Sequence, residues 1–126
     1  MTAVDSATAT STGNGTGIDA WTEVCPLDAV PVEEGRAVLL PDGTQVAVFR
    51  THDDQVHALC NVDPFSGAAV LSRGIVGDLG GVPVVASPMH KQHFDLRTGA
   101  CVEDASVVVA TYPVRVRGGT ICLGRT

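Results

Sequence analysis

No C-x-x-C pair occurs among the four cysteines, Cys25, Cys60, Cys101 and Cys122, which excludes a zinc ribbon and a thioredoxin-like redox motif. Thiols spaced this far apart read as free and mostly buried. Clusters of basic residues are also missing. Eight Lys and Arg against fourteen Asp and Glu leave a net charge of −6, which excludes nucleic acid or an anionic membrane as a partner held by a basic patch. The longest unbroken apolar runs are four residues, such as Val107 to Ala110, far short of the roughly 20 that cross a bilayer as a helix. A basic start followed by an apolar stretch is absent too, so the cytoplasm is the expected compartment. No G-x-G-x-x-G precedes a helix, and no cysteines cluster as a [4Fe–4S] centre requires. Aromatic residues make up only 4% of the chain.

What is abundant is Val, with 20 residues, and Gly, with 14, a mixture that favours strands and turns over helices. A chain of 126 residues is long enough for one domain with its own core. Residues 1–17 are Thr, Ser, Ala and Gly with almost no bulky side chains, too little apolar surface to offset the entropy of ordering, and predict a disordered tail. The domain is expected over residues 18–126.

Trp21 to Val24 reads as a first strand with Trp21 as its core anchor, and Leu27 to Val30, between Pro26 and Pro31, as at most one helical turn. A hairpin follows, from Arg36 to Leu40 and from Gln45 to Arg50, where alternating apolar side chains suggest a half-buried strand. Val56 to Cys60, Ile75 to Leu79, Pro83 to Ser87 and Gln92 to Asp95 continue the series, with short pieces at Ala100 to Val102 and a last hairpin of Val107 to Arg117 and Thr120 to Leu123. The turns fall at Gly80-Gly81 and Gly118-Gly119. About ten short antiparallel strands without helical periodicity indicate an all-β sandwich or small barrel.

Two loops leave strand ends, and such loops are where a rigid scaffold places function. One runs from Asn61 to Arg73 and the other from Pro88 to Gln92. The first begins Cys60-Asn61-Val62-Asp63-Pro64-Phe65-Ser66-Gly67, and the second is entered by Ser87-Pro88-Met89-His90 and left by His93-Phe94-Asp95-Leu96-Arg97-Thr98-Gly99. Pro88, Phe94-Asp95-Leu96 and Thr98-Gly99 follow the pattern of a Rieske iron–sulfur domain, which the chain resembles from about residue 20 to 124. A Rieske centre takes two Cys and two His ligands. Here the first pair becomes either Cys60 with Val62 or Asn61 with Asp63, and the second becomes Ser87 with His90. Only His90 keeps a ligand type in a matching position.

Within that superfamily, Asp63-Pro64-Phe65-Ser66-Gly67-Ala68, Leu71-Ser72-Arg73-Gly74 and Ser87-Pro88 with Lys91 to Leu96 resemble the small subunit of assimilatory NAD(P)H-dependent nitrite reductase. The resemblance implies a Rieske-like β-sandwich, no cofactor in this chain, and a large-subunit partner carrying FAD, sirohaem and a [4Fe–4S] cluster, with nitrite reduced to ammonium. Alternatives are a [2Fe–2S] ferredoxin and a Rieske-like binding module of another oxidoreductase. The vestigial ligand positions Asn61, Asp63, Ser87 and His90 are expected to hydrogen-bond across the two loops. Asp63, Pro64, Phe65, Ser66, Pro88, Met89, His90 and Lys91 are the candidate docking residues. Phe65 and Met89 read first as core residues filling the space left by the cluster, and otherwise as exposed anchors. A zinc site built from His57, Cys60, His90 and His93 is disfavoured because His57 and Cys60, an odd number of residues apart, point to opposite faces of a strand.

Overall fold

The computed structural model describes residues 21–124, and the expected tail over residues 1–17 lies outside the described residues. Nine strands form among the described residues: β1 (Trp21–Pro26), β2 (Glu34–Leu39), β3 (Gln45–Arg50), β4 (Val56–Cys60), β5 (Ile75–Leu79), β6 (Val82–Ala86), β7 (His93–Asp95), β8 (Val114–Arg117) and β9 (Thr120–Gly124). They make three three-stranded antiparallel sheets, ordered β1-β9-β8, β2-β3-β4 and β5-β6-β7. The only helical pieces among the described residues are single 3-10 turns at Leu27–Ala29 and Leu71–Arg73. None is long and apolar enough to cross a membrane.

Two compact units divide the described residues, one of residues 21–29 with 112–124 and one of residues 30–111. In the first, β1 pairs with β9 through a register shift between Glu23 and Cys25, and β8 closes the sheet from the other side. Trp21, expected as a core anchor, is only partly buried. The Arg115 guanidinium lies 4.4 Å from its ring centroid, covering the indole by cation–π attraction. Cys122 is buried in this sheet, and burial pushes its thiol pKa up.

In the second unit, Ala47, Phe49 and Leu59 from one sheet meet Val85 and Phe94 from the other, with Leu71, Leu96, Cys101 and Val109 completing the core. Burial likewise raises the Cys101 thiol pKa. The central strand β3 departs from the half-buried expectation: Val46, Ala47, Val48 and Phe49 are all fully buried. Its apolar residues are a continuous run, the pattern of a strand covered on both faces.

The predicted strand from Val107 to Arg117 is also corrected. Pro113 has no N–H to give to a ladder, and β8 begins only after it. Residues 100–111 instead form a strap held by single bridges, Phe94 with Cys101, Ala100 with Val108 and Leu59 with Thr111. This strap holds the roots of both loops. Cys60 N donates to Ala110 O at 2.9 Å and Val102 N to His93 O at 2.8 Å.

Candidate functional site

The loop after β4 and the loop after β6 meet at one end of the second unit. The first loop returns through Gly74, where an added Cβ would come within 2.4 Å of Ala86 O. Absence of a side chain there lets the loop press against the strand that delivers Ser87. Of the two ligand registers open in the sequence, the structure turns Asn61 and Asp63 inward, at 1% and 0% exposure, and leaves Val62 38% exposed.

Asp63 and Ser87 join the loops directly. The Ser87 hydroxyl donates to Asp63 Oδ2, while Ser87 Oγ accepts from Met89 N at 3.2 Å. Asp63 Oδ1 accepts from Phe65 N at 2.8 Å and more weakly from Ser66 N at 3.4 Å. This one carboxylate therefore folds its own loop into a turn and clamps the neighbouring loop, and no buried oxygen of the pair is left without a donor or acceptor.

The expected four-residue staple is narrower than the sequence suggested. Asn61 braces its own surroundings instead: its Nδ2 donates to Gln45 Oε1 at 3.3 Å and Ala69 O at 3.2 Å, and its Oδ1 accepts from Ser72 N at 2.8 Å. His90 is exposed and outside these bonds, because the second loop closes with Ser87 N on Gln92 O and Lys91 N on Ser87 O. Lys91 completes that turn in the left-handed region, at φ 64°. Phe65 and Met89 are not core residues either. They are 40% and 47% exposed, and Phe65 leans on the buried Phe94 with ring centroids 6.2 Å apart.

A Rieske cluster does not fit these residues. Its ligand set is two thiolates and two imidazoles. Here a carboxylate and a hydroxyl at two ligand positions are already bonded to one another, leaving no gap for a two-iron centre between them. The zinc candidates are dispersed as well. Cys60 packs against the core, His93 Nδ1 meets Glu103 Oε2 at 2.6 Å, His90 stays at the loop end, and His57 lies elsewhere. Among the described residues no group of three or more His, Cys, Asp or Glu is arranged to hold a metal ion.

His57 lines a cleft of about 330 Å³ at the opposite ends of the same strands, with Thr51, Asp53, Asp78 and Arg97. Burial holds its pKa below the ordinary 6.5; Asp53 and Asp95 pull it up, Arg97 pushes it down, and burial prevails. The unfolded chain then binds this proton more readily than the folded one. Stability is therefore lost as pH falls through 6.5 and levels off once the lower folded-state pKa is passed. The expected outcome is a shallower acid-side fall in melting temperature for His57→Gln than for the unaltered chain; parallel curves would count against it.

The sequence profile of the Rieske-like [2Fe–2S] domain matches residues 20–124, and the chain belongs to that family. Within it the match narrows to one branch. The chain is 44% identical over 104 residues to the nitrite reductase (NADH) small subunit of Escherichia coli K12, covering 82% of this chain and 95% of that one, and it is a member of this small-subunit family. The solution structure of the E. coli protein NirD superimposes with a TM-score of 0.77 at 43% identity, over 84% of this chain and 96% of that one. The nitrite reductase [NAD(P)H] large subunit of Klebsiella oxytoca also contains a matching segment, 43% identical over 104 residues, although this spans only 11% of that protein.

Several residues that shape the loop end escaped the sequence reading. Gln45 carries no signal, since a polar residue opening a strand is ordinary. Ile75 carries a misleading one: parity groups it with Leu79 on the more apolar face of β5, yet it is Val76 that packs toward the core and Ile75 that faces outward.

Proposed function

We propose that this chain is the accessory small subunit of an NAD(P)H-dependent nitrite reductase, contributing to the reduction of nitrite to ammonium without supplying a catalytic group of its own. The observation that carries the reading is the Asp63–Ser87 link, which puts structural bonding where an electron-transfer domain of this family would hold its iron. In this reading FAD, sirohaem and the [4Fe–4S] cluster belong to a large subunit, and the small subunit binds that chain by its loop end. Asp63 and Ser87 hold the loops in shape. Pro64, Phe65, Ser66, Pro88, Met89, His90 and Lys91 provide the contacting surface.

The Klebsiella protein supports the partnership. There, a segment similar to this chain is part of the large-subunit polypeptide, an arrangement that fixes a high effective concentration and suits domains that dock on each other. Four free thiols and a nicotinamide reductant both suit the cytoplasm.

The test is reconstitution. Purified large subunit is expected to bind this chain and to reduce nitrite with NAD(P)H faster in its presence, while the isolated small subunit contains no stoichiometric iron or acid-labile sulfide. A brown small subunit with stoichiometric iron would establish the ferredoxin alternative instead. Failure to bind the large subunit would leave a binding module for another oxidoreductase.

A further inference from the structure

The two loops are not the whole apolar surface at their end of the second unit. Leu39, the last residue of β2, is 66% exposed, and Ile75, the first of β5, is 77% exposed. Strand register places both beside the loops. Leu39 pairs with Gln45, whose side chain accepts from Asn61, and Ile75 pairs with Ala86, the residue before Ser87. Together with Val62, Phe65 and Met89 they put five large, exposed apolar side chains at one end. An apolar concentration of this kind marks an interaction surface.

Two cations lie at the same end. Arg73 and Lys91 are exposed, and neither enters an ion pair among the described residues. At the far end, Arg50 and Arg97 are matched by Asp54 and Asp95, and Glu33, Asp53 and Asp78 around the cleft add negative charge. A chain of net charge −6 thus presents Arg73 and Lys91 where its apolar side chains emerge, with the exposed Asp42 in the turn after Leu39.

We propose that Leu39 and Ile75 flank the two loops in one docking face, and that its occupant is a protein surface with an apolar floor and carboxylates opposite Arg73 and Lys91. Resting on the function proposed above, that surface belongs to the large nitrite reductase subunit. A second copy of this chain is the competing occupant, since Asp42, in the turn after Leu39, and Glu103, beside His93, are exposed carboxylates at the same end that its cations would meet.

Binding of the full chain to purified large subunit, measured by titration calorimetry at low and high salt, tests the face. Leu39→Ser and Ile75→Ser lie outside the loops and the core. Each is expected to weaken binding about tenfold, whereas Leu79→Ser, at the other end of β5, stays within about twofold. Reversing both cations, with Arg73→Glu and Lys91→Glu, is expected to weaken binding and flatten its salt dependence. If Leu39→Ser and Ile75→Ser bind like the unaltered chain while Phe65→Ser binds weakly, the wider face is overturned and docking by the loops stands. If the unaltered chain does not bind the large subunit at all, the functional reading and this face fail together. A self-associating chain made monomeric by Ile75→Ser would assign the face to a second copy and overturn the proposal.

Discussion

Asp63→Ala is expected to cost about 3 kcal/mol of folding stability, because it strips partners from buried donors as well as removing a side chain. The carboxylate is fully buried. Without it the Ser87 hydroxyl, itself 1% exposed, loses its acceptor, and so does the Phe65 N–H, now bonded at 2.8 Å. For a domain of this size the loss corresponds to a fall in melting temperature on the order of 10–20 °C. Hydrogen exchange should quicken at Phe65, Met89 and Lys91, since the amides of both loops depend on this bond. Ser87→Ala removes only one donor and should cost less. The double variant should be clearly less damaging than the sum of the two, with a coupling of about 1 kcal/mol or more. Additive effects, or unchanged exchange in the second loop, would show that the two loops stand independently. A loosened pair of loops would also present Phe65 and Met89 poorly, so binding to the large subunit should weaken alongside stability.

Local chemistry made the scaffold readable from the chain. Gly80-Gly81 and Gly118-Gly119 each have positive φ at both residues, the backbone that a two-residue hairpin turn demands and that glycine supplies freely. Their flanking strands formed where the turns put them. Asp63 and Ser87 could be nominated because the ligand spacing around them was visible, but their bond spans 24 residues and no local preference encodes it. His90 shows the opposite limit. Its spacing marked it as a surviving ligand type, yet the turn completed by Lys91 leaves it at the surface. Phe65 was misplaced for a related reason: hydrophobicity argued for burial, while the Asp63-centred turn carries the ring out over Phe94. The strap was hidden because its holds on Cys60 and His93 come from a segment with no strand of its own.

That strap gives the second large effect, through Gly99→Ala. Gly99 has φ +80°, and an added Cβ would lie 1.9 Å from Val109 O. Two penalties coincide. A left-handed backbone costs an Ala roughly 1–2 kcal/mol, and the overlap with a backbone oxygen cannot be relieved by turning a side chain. Relief requires the strap to move, which stretches the 2.8 Å bond from Val109 N to Gly99 O and disturbs Val109, a core residue only 4% exposed. The combined cost is expected to be about 4 kcal/mol or more, enough to leave much of the protein unfolded near physiological temperature. Gly43→Ala separates the causes, because Gly43 has φ +90° with nothing within 4 Å of the added Cβ. It should lose only the backbone share, about 1–2 kcal/mol. Equal losses at the two positions would mean that backbone conformation alone sets the need for glycine at 99. A much larger loss at Gly99, with faster exchange at Cys60 and Val102, whose amides donate the bonds between strap and loop roots, would mean that the far turn holds the strap and the strap holds the docking loops.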